Sequence, residues 1–329
     1  LHCCAGPATP TAAAVATTVA NLCATERHHG ALLQPPLPRL LGDLVKDCGQ
    51  DAEGQPVVLQ VLRAVWNLVR SAATKQCPAF SSCVPLLEAI GALPHLSSEG
   101  LQLLLKIIGG ITFRYTAADV PITWSFDLLG HECANDREPA AQLLAVTAVS
   151  NLSVYVATTP TCNILLPVDE ALWVTLLNSG PPPLALNVLR LCANLSAAGY
   201  PLNDLRSAIT QLSMGLESKG GGRPSVGSLV SSNTAAKFYV TVCLVNWSWA
   251  GGAGSDWTLP QNLSIERLEA YLNTLSVQQR NNLLLDTHST TGDLDPARPP
   301  LNPHQLLTAC LDAGTDLEAV AANAQTLCA

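Results

Sequence analysis

Apolar residues recur along the chain at helical spacing, and prolines, glycines and short polar runs divide them into segments of helix length. Val58, Leu59, Val61, Leu62, Val65 and Leu68 give apolar positions through the segment 56–71, and Leu101, Leu104, Leu105, Ile108 and Ile111 do the same after Ser98. Alternation of β-branched and aromatic residues between turns is nearly absent, so the chain reads as all-α. The stretch Ala141–Tyr155 has the form of a buried helix ending in Asn-Leu-Ser, and relatives of it recur. They are VATTVANLCAT through Asn21, VLRAVWNLVRS around Asn67, LNVLRLCANLS around Asn194 and FYVTVCLVNWS around Asn246, with Gly110 in the asparagine's place in LLLKIIGGIT. The marks at 21, 67, 110, 151, 194 and 246 lie 41 to 52 residues apart. A period in this range signals stacked units of supersecondary structure.

The predicted elements follow from local signals. A helix is expected at about Thr11–Thr25, a second at Pro38–Cys48 and a third at Pro56–Ser71, separated by Gln34-Pro35-Pro36 and by the polar stretch Gly49–Gly54. Ser98-Glu99 is expected to cap the next long helix, and Gly109-Gly110 near its end to mark a close helix crossing. Asn135–Glu138 followed by Pro139 reads as a helix start, as do Pro160, Pro167 and Pro181-Pro182-Pro183. The Gly/Ser-rich insert Lys219–Ser232 accounts for the longest spacing and is expected to be a mobile loop. Beyond Trp249 the motif stops. Ser264–Asp286 reads as one or two helices, Thr287–Pro300 as a linker, and helices are expected after Asn302-Pro303 and from the capping box Thr315–Glu318.

Period and motif together resemble the armadillo family, whose third helix in each repeat carries a pattern like L-x-x-L-x-N-L-S. The resemblance spans roughly residues 10–250. It implies a right-handed superhelical solenoid of helix triplets, about five to six repeats long, with the third helices lining a concave groove. Residues 1–250 would be the repeats, the first of them truncated, and 251–329 a C-terminal helical cap or small helical extension. Because the motif begins almost at once after Leu1, the chain is expected to be a fragment of a longer protein.

Composition adds compartment. The twelve cysteines contain no C-x-x-C, and Cys23, Cys192 and Cys243 fall within apolar helix patterns, so reduced thiols and a cytoplasmic location are expected. The sequons at Asn151, Asn194 and Asn246 lie in the buried motif and are poor glycosylation sites; Asn262 is the one expected to be exposed. No apolar run reaches membrane-spanning length unbroken, and no membrane partner is expected.

Catalytic and cofactor chemistry finds no foothold. Lys219 precedes the glycines of Gly220-Gly221-Gly222-Arg223 and no strand leads into them, whereas a phosphate loop needs the lysine after its glycines. His131-Glu132-Cys133 and His28-His29 lack the converging pairs a zinc ion needs, so no metal is expected. No G-x-S-x-G is present. The chain is expected to be non-enzymatic and without cofactors.

The repeat asparagines and the charges are more informative. By the resemblance, Asn21, Asn67, Asn151, Asn194 and Asn246 face the groove and bond the main chain of an extended ligand. The alternative reading is that Asn-Leu-Ser ends the helix, its amide and hydroxyl satisfying free carbonyls. The tryptophan pairing of the family's nuclear-import receptors is missing. The six motif helices carry Arg63, Arg70, Lys106, Arg114, Arg190 and Lys237 but one acid, Glu99, in a chain with 17 basic and 25 acidic residues. Arg63, Lys106 and Arg190 lie four residues before their motif marks, on the same helix face, and are expected to form a row.

These readings lead to a scaffold that binds an acidic, extended segment of a protein partner in a basic groove. Tubulin tails are one such segment, which makes a cytoskeletal or ciliary assembly a concrete instance. The alternative is a regulatory or assembly domain of a larger protein that docks a folded partner through its outer helices. Net charge −8 and the lack of an aromatic platform argue against nucleic acid.

Overall fold

The computed structural model describes residues 10–34, 36–70, 78–114, 123–158, 169–197, 202–214, 233–250, 259–261 and 263–274. Regular structure among these residues is entirely helical. The helices are α1 (Pro10–Cys23), α2 (His29–Leu32), α3 (Leu37–Cys48), α4 (Gln55–Arg70), α5 (Val84–Gly91), α6 (Ser98–Arg114), α7 (Phe126–Ala134), α8 (Pro139–Thr158), α9 (Glu170–Ser179), α10 (Pro182–Ala197), α11 (Asn203–Met214), α12 (Thr234–Ala250) and α13 (Ile265–Thr274).

Local chemistry sets these bounds. Prolines occupy the first turns of α3, α5, α8 and α10, where a missing N–H costs nothing. Side-chain oxygens cap other starts. Asp169 Oδ1 accepts from the Leu172 N–H at 2.9 Å, and Asn233 Oδ1 accepts from Ala235 and Ala236. A cap of this kind stabilises a helix by about 1 kcal/mol. The cap of α6 lies one residue earlier than Ser98-Glu99: Ser97 Oγ accepts from the Gly100 N–H at 3.1 Å. Between α3 and α4 the chain turns so tightly that a Cβ on Gly54 would lie 1.4 Å from the Cys48 carbonyl oxygen, which only glycine permits.

The described residues divide into two compact units, and the division falls inside α8, between Ala148 and Val149. In the first unit α1, α4 and α6, each bearing a copy of the motif, pack in succession, and α3 packs on α4 and α5. Val57, Val61, Leu62, Val65, Leu104, Leu105 and Ile108 fill this core. The close crossing expected at Gly109-Gly110 belongs to Gly110 alone. A Cβ there would sit 2.7 Å from Val69 Cγ1 of α4, whereas one on Gly109 would meet nothing within 4 Å.

In the second unit α10 packs on α9 and α12, α9 on α11, and α12 on α13. Both α10 and α12 are buried over most of their length, their polar residues Asn187, Arg190, Asn194, Thr241 and Asn246 included. Phe238 and Tyr239 meet edge-to-face at 5.7 Å, and the Arg206 guanidinium lies 5.4 Å from the Trp247 ring centre. The expected Lys219–Ser232 loop, the starts at Pro160 and Pro167, Asn262 and the helices after residue 300 lie outside the described residues. Of the expected C-terminal cap, α13 is the part described as helix.

Candidate partner-binding face

The motif asparagines join helices to one another. Asn67, half-buried on α4, donates from Nδ2 to the Ala20 carbonyl of α1 at 3.1 Å. Asn194, 1 % exposed on α10, donates to Ser153 Oγ at 2.9 Å and to the Ser150 carbonyl of α8 at 3.3 Å. Asn246 on α12 donates to Ser196 Oγ of α10 at 3.0 Å. Two of these acceptors, Ser153 and Ser196, are themselves the serines of Asn-Leu-Ser. Ser153 Oγ donates to the Ser150 carbonyl at 2.6 Å and Ser196 Oγ to that of Ala193 at 2.8 Å, which leaves each hydroxyl's lone pairs for the next asparagine. Thr112 makes the same bond back to Gly109 in the first unit.

Asn and Ser thus work across helices rather than as terminators of their own: α8, α10 and α12 continue past Asn151, Asn194 and Asn246. A buried amide without a partner loses its full hydration energy, so these bonds hold α4 in register with α1, α10 with α8 and α12 with α10. The sequence signal for them was the serine recurring two places after the asparagine. Asn21, by contrast, is exposed on α1.

The cationic residues separate into two classes. Arg190 is not at a surface: it is 4 % exposed, and its Nε and Nη2 donate to Ser150 Oγ at 2.9 Å and Asn151 Oδ1 at 3.0 Å. Its guanidinium braces α10 against α8. Arg63 and Lys106 are exposed on α4 and α6, which pack together in the first unit. Arg63 Nη2 donates to Glu99 Oε1 at 2.9 Å, with side chains 46 % and 64 % exposed. Lys106 makes no ion pair among the described residues. In the second unit Lys237 is exposed with its ammonium 4.5 Å from the Tyr271 ring centre, so α13 supplies a cation–π partner to α12. Helices α4 and α6 end at Arg70 and Arg114, whose side chains lie outside the described residues.

Among the described residues the cysteines are buried, and His29 and His131 are hydrogen-bonded. Cys23, Cys48, Cys83, Cys133, Cys192 and Cys243 are buried free thiols. Burial pushes the Cys23 and Cys83 thiols up to about 12 and those of Cys133, Cys192 and Cys243 upward as well, so none of these five is a nucleophile at neutral pH. His131 is exposed and bonds Glu132 at 2.9 Å, Asn135 donates to the other Glu132 oxygen at 3.1 Å, and Cys133 faces the core. His29 bonds the Cys23 carbonyl at 2.7 Å. Among the described residues no three His, Cys, Asp or Glu side chains converge, and no helix is long and apolar enough to cross a membrane.

Neither a protein-family model nor a curated protein sequence matches the chain.

Proposed function

We propose that this chain is a non-enzymatic, armadillo-like scaffold that holds an acidic, extended segment of a partner protein across α4 and α6. The carrying observation is the pairing of exposed Arg63 and Lys106 on two helices packed side by side, with half-buried Asn67 one turn from Arg63. Packed helices lie about 8–10 Å apart, and an extended peptide advances roughly 3.3 Å per residue. Carboxylates about three residues apart would therefore meet successive cations. The succession of motif helices within each unit supports a repeat solenoid as the framework.

The test is fluorescence anisotropy of a labelled oligoglutamate peptide titrated with the chain at low salt. Binding that falls about tenfold or more in Arg63→Glu/Lys106→Glu, and that weakens with added salt, supports the face. Both proteins must show equal helical circular dichroism and melting. Binding unchanged in the variant sinks the face and moves the reading to docking through the outer helices.

A further inference from the structure

We propose that Glu99 is a built-in competitor for the acidic segment, holding Arg63 until a multivalent ligand displaces it. This rests on the binding face proposed above and names its regulation. Glu99 is the one acid on the six motif helices, and it is the residue that Arg63 engages, from 36 positions away in the chain. An acidic ligand must therefore share the guanidinium with this carboxylate or displace it, and it competes with Glu99 in either case.

Three features make the exchange reversible. Both side chains are largely in solvent, where an ion pair is weak and readily broken. Glu99 also sits in the first turn of α6, where the helix dipole favours a carboxylate whether or not Arg63 is present. Releasing Arg63 therefore leaves Glu99 with a stabilising partner. Finally, Lys106 follows Glu99 by seven residues, two turns along α6, or about 10 Å at the helical rise. A ligand with a single carboxylate competes with Glu99 on equal chemical terms and at the disadvantage of being free in solution. One with several carboxylates gains Lys106 at the same time, so the pair sets a threshold of ligand acidity.

The experiment uses the same labelled oligoglutamate with the full chain, at low salt. Glu99→Gln tightens binding about two- to five-fold, the range expected for one exposed ion pair. Adding Arg63→Gln removes that gain, and Asp43→Asn, which deletes the same charge from α3, produces none. A gain that persists without Arg63, or that Asp43→Asn reproduces, reduces the effect to net charge and overturns the competitor. Binding by the wild type that Lys106→Glu weakens but Glu99→Gln leaves unchanged or weakens overturns it too, while retaining the face. Absence of binding by both wild type and Glu99→Gln overturns the face and the competitor together.

Discussion

Asn194 donates its side-chain amide to the Ser153 hydroxyl at 2.9 Å, and Asn246 repeats the contact with Ser196 at 3.0 Å. The same two letters of one motif therefore act as donor in one helix and acceptor in the one before it. Ser196→Ala leaves the Asn246 amide buried without this acceptor and should cost about 1–3 kcal/mol. Asn246→Ala should cost a similar amount, and the double variant much less than the sum. Urea unfolding of the four proteins measures the coupling; strict additivity would show that the bond does not contribute.

Arg190 offers a sharper contrast between charge and geometry. Arg190→Lys keeps the charge, but an ammonium cannot reproduce the planar fork that reaches Ser150 and Asn151 together. A loss of about 2 kcal/mol in unfolding free energy is expected, against a negligible one for Lys106→Arg on the surface. Equal effects at the two sites would place Arg190 in solvent.

Neighbouring glycines on α6 should respond in opposite directions. Gly109→Ala meets nothing within 4 Å, so the gain in helix propensity, about 1 kcal/mol, should raise the melting temperature. Gly110→Ala must push Val69 aside and should be destabilised by about 1–3 kcal/mol. Val69→Ala in the Gly110→Ala background should recover part of the loss. Thermal melts of these variants decide it, and two stabilising alanines would exclude a close α4–α6 crossing.

The buried thiols predict a base-side limit to stability. Cys23 is pushed from 9.0 to about 12 in the folded chain, so between these values the unfolded thiol has lost its proton and the folded one has kept it. Stability from this group is complete below pH 9.0 and declines as pH rises toward 12, by at most about 1.4 kcal/mol per pH unit. Denaturant midpoints measured upward from pH 8 should fall, and less steeply in Cys23→Ala. An identical slope in that variant would mean that Cys23 is solvated.

Three helix positions were legible to within one or two residues because their causes are local. The expected helices at 11–25, 38–48 and 56–71 occur as Pro10–Cys23, Leu37–Cys48 and Gln55–Arg70, set by apolar spacing, prolines and turn residues within a few positions of each end. Ser97, rather than Ser98, caps α6 because two adjacent serines offer the same chemistry and backbone geometry selects one.

The candidate site was legible only as a set of residue types. Arg63, Lys106 and Arg190 occupy one register position in the repeat, yet Arg63 and Lys106 are exposed and Arg190 is buried. Nothing in the neighbouring sequence of Arg190 announces that Ser150 and Asn151, about 40 residues earlier, will receive its guanidinium. Nor did the scarcity of acids on the motif helices reveal that Glu99 engages Arg63.

The sequence by itself determined the helical class, the recurrence of the Asn-bearing helix and the apolar surroundings of its cysteines, because periodicity and capping act over one or two turns. Tertiary structure decided which polar side chains bind neighbouring helices and which face water. The physical reason is that a helix has several faces, and burial of each depends on which distant helix packs there.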